Sequence, residues 1–321
     1  MTDENLLNEI GRACLAATLF LCLGTKIADA QAPSSAIAFY PAYCKDLTGK
    51  TDCSSGFARW ISAGISQHRP LYARAGKYRL SSAQVVQLHP VAGIGLSVFC
   101  DGPKLTRFVF DRDVGSPNLE FIGLDTPGNA DSINYLWIQG CGFSGSTNGT
   151  LVQIGRMDFG DAINETQLVN DGIYNGSGGD GAIALQLNFV LNSFINIVAD
   201  AGAPPPSEKA PPFKNLGFAA LDCRGCAFNS FFGSYSIANS GIVLRDWQNY
   251  GNVFHSVDAE VTNASVSVLN SGSVDNTFIG GQFSSSVVGI NATAGAGNKF
   301  INPHFFGNVS DTGALVGVTI Q

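Results

Sequence analysis

The feature that most constrains this chain is a short motif, Asn-x-Phe, which returns at Asn192/Phe194, Asn229/Phe231, Asn252/Phe254, Asn276/Phe278 and Asn298/Phe300. The last three intervals are 23, 24 and 22 residues. The first interval, 37 residues, contains a proline-rich stretch at 203–213, from Ala203-Pro204-Pro205-Pro206 to Pro211-Pro212, which no central strand accommodates. A second motif, two aliphatic or small side chains separated by one residue, precedes each copy: Ile183/Leu185, Ala219/Leu221, Ile242/Leu244, Val266/Val268 and Val288/Ile290. Two strand motifs in a period of low twenties, with no helical pattern between them, mark a solenoid whose every turn adds a rung to parallel sheets. The leucine-rich repeat has a similar period, but its Leu-x-x-Leu-x-Leu consensus is missing. The expected fold is therefore all-β, a single-stranded right-handed parallel β-helix. Composition agrees, with 38 glycines and 22 phenylalanines against 2 methionines, and 45% hydrophobic residues are enough for a sizeable core.

The motif also assigns positions within a turn. Two residues after each Phe stand Asn196, Gly233, Ser256, Gly280 and Asn302, residue types that tolerate left-handed backbone at a bend. Five residues after it, Ala199, Ser236, Ala259, Phe283 and Phe305 are expected inside. Four after it, Val198, Tyr235, Asp258, Gln282 and His304 then point outward, because side chains alternate along a strand.

Residues 51–112 resemble the capping module of the pectate-lyase-like superfamily, which includes phage tailspikes and polysaccharide depolymerases. The resembling pieces are Thr51-Asp52 before a helix with Phe57, Trp60, Ile61 and Ile65 on one side, then Pro70 to Leu80, then Cys100-Asp101-Gly102-Pro103-Lys104-Leu105-Thr106. Cys53 after Asp52, and Arg74 where a proline is usual, depart from it. With the Asn-x-Phe turns the resemblance covers roughly residues 45–310. It implies a short N-terminal helix capping the β-helix, and a polysaccharide or cell-surface glycan as partner. The chain then divides into a hydrophobic segment at 1–32, a capping module at 33–110, and the β-helix at 111–321.

Residues 13–23 form an apolar run followed by Ala28-Asp29-Ala30 and Ala30-Gln31-Ala32, as at the end of a secretory signal. Against this, Asp3, Glu4 and Glu9 face only Arg12 ahead of the run. The alternative is a helix with Leu7, Ile10, Cys14, Ala17 and Leu21 at a and d spacing, which would bundle three chains and anchor them in a virion. Secretion and a virion spike both remain open, with a homo-trimer expected and no membrane span in the mature chain. Beyond that segment six cysteines remain, of which Cys44 and Cys53 bracket a polar loop and are expected to form a disulfide. Cys223 and Cys226 form a lone C-x-x-C without zinc or thioredoxin context, so no metal or cofactor is expected. A net charge of −7 offers no footprint for nucleic acid.

No motif names a reaction; the serine elbow, P-loop and His-Glu-x-x-His patterns are absent. Outward columns are where a β-helix meets a polysaccharide, so they supply the candidates. Asp258 and Glu260, at i and i+2 on one strand, lie about 6.5–7 Å apart at the backbone, near the lower spacing of inverting glycosidases, and are the candidate catalytic pair. Tyr235, Gln282 and His304 flank them as candidate substrate contacts. A second cluster joins Asp222 and Arg245, expected side by side, with Arg224 and Trp247 in register two residues later; an aromatic flanked by arginines suits an acidic sugar. Both clusters also fit ordinary solvated surface with exposed ion pairs. The column Ile195, Phe232, His255, Ile279 and Ile301 reads as a subunit contact. An acidic stretch from Asp158 to Asp180 has no place in the repeat, and six Asn-x-Ser/Thr sequons read mostly as turn chemistry. The expected function is polysaccharide binding, with cleavage by hydrolysis or lysis, against a non-catalytic structural or adhesive spike.

Overall fold

The computed structural model describes residues 35–88, 95–112, 114–123, 135–157, 163–202, 216–292 and 294–311. The segment at 1–32 and the proline-rich stretch at 203–213 lie outside the described residues. Every strand pairing is parallel, and successive turns stack three strands each. The turns are right-handed, the hand that parallel crossovers take almost without exception. Face one carries the Asn-x-Phe strands, among them Phe194–Ile197, Ser230–Phe232, Val253–His255, Thr277–Ile279 and Lys299–Ile301. Face two follows the bend, with Val198–Ala201, Ser234–Ser236, Asp258–Val261, Gln282–Ser285 and His304–Phe306. Face three contains Leu119–Ile122, Thr150–Ile154, Ile183–Asn188, Ala219–Arg224, Ser240–Leu244 and Ala264–Val268. Stacking already begins within residues 37–110, where Ile37, Leu71 and Val98 occupy successive rungs of face one.

One interior line runs through face one: Leu71, Val98, Ile138, Leu168, Ile195, Phe231, Phe254, Phe278 and Phe300, all buried. The four phenylalanine rings lie almost parallel, with centroids 4.5, 4.4 and 4.4 Å apart. That distance is set by the rung spacing, and each ring buries its faces against its neighbours. The asparagines form a second ladder. Asn229 Nδ2 donates to Asn252 Oδ1 at 3.0 Å, Asn252 to Asn276 at 2.8 Å and Asn276 to Asn298 at 2.9 Å, while each Oδ1 also accepts the backbone N–H of the preceding rung. These side chains are at most 1% exposed, so the ladder satisfies polar groups that water cannot reach. Asn252→Ala is expected to cost roughly 1–3 kcal/mol, because it orphans the buried Asn229 donors, and urea denaturation would measure it.

The first motif copy sits one residue out of phase. Ile195, not Phe194, enters the interior line, Ser193 takes the ladder position by accepting from Thr166 N and donating its N–H to Asn229 Oδ1, and Phe194 is 39% exposed. Asn196, expected at a left-handed bend after the strand, is not left-handed, and Asn192 is left-handed at the bend before it, as Phe228 is in the next turn. On face three, Ile242 stands opposite Leu221 and Val266 opposite Ile242, so the aliphatic pairs at 242/244 and 266/268 are displaced by two residues from the other three.

The first turn is covered by a helix over Ser54–Gln67, whose buried side includes Phe57, Trp60 and Ile61. Trp60 Nε1 donates to Ile37 O at 2.8 Å, Phe39, Phe57 and Phe108 pack against its ring, and Tyr78 packs against Phe39 and Phe108. Disulfides join Cys44 to Cys53 beside this cap and Cys100 to Cys141 on adjoining turns. Cys223 and Cys226 are buried free thiols. No helix among the described residues is long and apolar enough to cross a membrane.

Candidate functional site

The outward side of face two gathers acidic side chains. Asp258, Gln282 and His304 share one column, as the alternation predicts, and Glu260 stands two residues beyond Asp258. Tyr235 does not join them. Ser234 is the residue opposite Asp258, and Tyr235 points inward, fully buried between Ala199 and Ala259 with its hydroxyl donating to Phe232 O at 2.9 Å. The reason is local. Gly233 turns the bend in one residue at φ 102°, where the next turn uses Ser256 and Val257, so the strand arrives one position early. A Cβ at Gly233 would stand 1.9 Å from Ile197 O, which leaves room for nothing larger.

The residue that sequence reasoning missed is Asp200. It precedes Ser236 and Glu260 in their column, is 7% exposed, and is followed by the proline-rich interval that hid its phase. Burial, then the nearby Asp258 charge, hold its carboxyl up at about 7. Asp258 is raised as well, by burial and then by the like charge of Glu260, against a hydrogen bond from the Ser234 hydroxyl. Its Oδ1 is shielded from solvent with no partner among the described residues. Gln282 Nε2 donates to Glu260 Oε1, and the exposed His304 ring meets Phe306 edge-on at 4.6 Å. Because the native state holds a proton on Asp200 where the unfolded chain has lost it, this group's stabilisation is full below its ordinary value of 3.8 and is lost as pH rises through about 7. Urea midpoints are expected to fall between those two pH values in the wild type, and less steeply in Asp200→Asn.

Face three carries the second cluster. Asp222 is fully buried and accepts from Arg245 through Nε and Nη2 at 2.8 and 2.9 Å, and from Arg224 Nε at 2.9 Å. Arg245 is not in register with Asp222, which faces Val243; its long side chain reaches back two positions. Trp247 is not level with Arg224 either. It stands 53% exposed at the corner toward face one, against the Phe189 ring. Three further rungs complete a groove of about 630 Å3: Glu120, paired with Arg156, then Gln153, then Gln186 and Asn188. On face one, Phe232, His255, Ile279 and Ile301 form the outward column as expected, but Ile195 belongs to the interior and Asn196 takes its place. Phe232 stacks on His255 at 4.8 Å and touches Phe194 at 5.1 Å.

All-parallel pairing, three faces and a helix over the first turn define a capped parallel β-helix, the fold expected from the sequence. No family model and no curated protein matches the chain. Among solved structures it is similar to the Dettilon tailspike protein, 10% identical over 84% of this chain and 62% of that one, with a TM-score of 0.42. The A-module of the Azotobacter vinelandii mannuronan C-5 epimerase AlgE6 is 13% identical over 83% and 69%, with a TM-score of 0.38. PfbA, a surface adhesin of Streptococcus pneumoniae, is 11% identical over 84% and 93%, at 0.25. The likeness is one of fold.

Proposed function

We propose that this chain binds polysaccharide along its outer faces and hydrolyses it on face two. The observation that carries the reading is the convergence of Asp258, Glu260 and Asp200 on one outward face, with two of the three carboxyls raised. Asp258 is the general acid: burial and the like charge of Glu260 favour its protonated form. Glu260, exposed and oriented by Gln282, is the base that activates water. They stand about 6.5–7 Å apart at the backbone, near the lower end of the carboxyl spacing that inverting enzymes use to hold a water between acid and base. Asp200 positions the charge balance without touching substrate. Gln282 and His304 border the sugar, with Phe306 beside them.

The two disulfides suit an oxidising setting, a secreted protein or a virion spike. The partly apolar column from Phe232 to Ile301 is the surface by which three copies associate. Incubating the protein with a panel of bacterial surface polysaccharides, and assaying reducing ends alongside ultraviolet-absorbing unsaturated ends, tests the reading. New reducing ends alone are expected. Unsaturated ends would replace hydrolysis with elimination, and binding without either product would favour the adhesive spike.

A further inference from the structure

We infer that the groove on face three is a separate, non-catalytic binding site for an uncharged oligosaccharide, whether of plain or N-acetylated hexoses. The site is recessed: on this outward face Glu120, Gln186 and Asn188 are between 1 and 6% exposed, and Asp222 below them is fully buried. Outward polar side chains on an ordinary sheet face water, so burial to this degree marks a cleft.

Charge arithmetic decides the ligand class. Arg156, Arg224 and Arg245 bring three positive charges. Glu120 is paired with Arg156, Asp222 with both Arg224 and Arg245, Asp246 lies 3.3 Å from Arg224 Nε, and Asp180 lines the groove as well. Four carboxylates against three guanidiniums leave no surplus of positive charge, so an acidic sugar gains nothing here. This replaces the acidic-sugar expectation that the arginines alone suggested.

What the groove offers instead is fixed hydrogen-bonding edges. Thr150 donates to Gln186 Oε1 at 2.6 Å, Gln186 Nε2 donates to Asn188 Oδ1 at 3.3 Å, and Asn188 Nδ2 donates to Gly155 O at 3.0 Å. Gln153 Nε2 is held by Glu120 and by Gly155 O, which leaves its Oε1 as an acceptor without a partner among the described residues. Arg224 is anchored through Nε alone, so its two terminal nitrogens are unused donors there. Successive side chains recur about every 4.8 Å along the rungs, and together they pair donors and acceptors with hydroxyl groups, each of which is both. Pro117, Met157 and Phe218 supply the apolar wall that a pyranose face requires.

The inference holds whether or not face two cleaves, and the test separates the two. Titration calorimetry with maltohexaose, chitohexaose, hexagalacturonate and a heparin hexasaccharide, at 50 and 500 mM salt, measures it. One of the neutral hexasaccharides is expected to bind with an affinity that salt leaves unchanged within about two-fold, because no ion pair with the ligand is screened. Gln153→Ala and Asp180→Ala should each weaken it about ten-fold or more, with melting temperatures near wild type, while Asp258→Asn leaves it unchanged. Tighter binding of either anionic probe, a strong loss of affinity with salt, an affinity indifferent to both groove variants, or no binding by any of the four would overturn the inference. Loss of binding in Asp258→Asn would place the site on face two instead.

Discussion

Asp258→Asn and Glu260→Gln are each expected to lower polysaccharide turnover by about 10²- to 10⁴-fold, the usual worth of a positioned proton donor or acceptor. The amide keeps the shape of the side chain and removes only its ability to exchange a proton. Thermal stability should change little, because Glu260 is exposed and Asp258 only partly buried, and the amide relieves the repulsion between the two. Asp200→Asn should behave differently. It touches no substrate, so it should retain turnover while removing from the pH profile any inflection due to the carboxyl held up at about 7. Steady-state kinetics of the three variants from pH 4 to 9 separate these outcomes. Equal turnover in wild type and both amide variants at Asp258 and Glu260 would place the chemistry elsewhere.

Asp222→Ala is expected to cost about 3–5 kcal/mol and to lower the melting temperature by several degrees. Its carboxylate is fully buried and accepts from Arg224 Nε and from Nε and Nη2 of Arg245, so its removal leaves guanidinium charge without this counter-ion inside the groove. Arg245 also lies over the Phe218 ring at 4.7 Å, and freeing it would loosen that wall. Glu260→Gln, which also removes a carboxylate charge but on an exposed strand, should shift stability by less than about 0.5 kcal/mol. Equilibrium unfolding of both variants checks the contrast. A cost at Asp222 as small as that at Glu260 would mean that the buried pair contributes nothing.

The architecture was legible because it repeats. Asn252, Asn276 and Asn298 carry the same buried ladder, and Phe254, Phe278 and Phe300 the same stack, so the period in the sequence is the period of the rungs. What was lost was phase wherever a bend changes length. A one-residue shortening at Gly233 turned Tyr235 inward and put Ser234 beside Asp258. A one-residue shift at Ser193 displaced Phe194 to the surface. Since side chains alternate with a period of two, a shift of one residue reverses which face is seen. The outward placement of Asp258 and Glu260 was legible because their turn is regular, and that of Asp200 was not because it stands beside the irregular interval. Glu120, Gln153 and Gln186 escaped for another reason. They precede the first recognisable motif copy or stand within it, and only the register of face three aligns them with Asp222.

The central claim is that face two holds carboxyls poised to exchange protons near neutral pH, and it can be tested without knowing the substrate. Carbon-13 NMR of the aspartate carboxyl groups, titrated from pH 3 to 9 in the intact protein and assigned through Asp200→Asn and Asp258→Asn, measures this directly. Asp200 is expected to titrate near 7 and to move down in Asp258→Asn, with Asp258 itself above its ordinary 3.8. Titration of both groups at ordinary carboxylate values, unchanged by either substitution, would contradict the account.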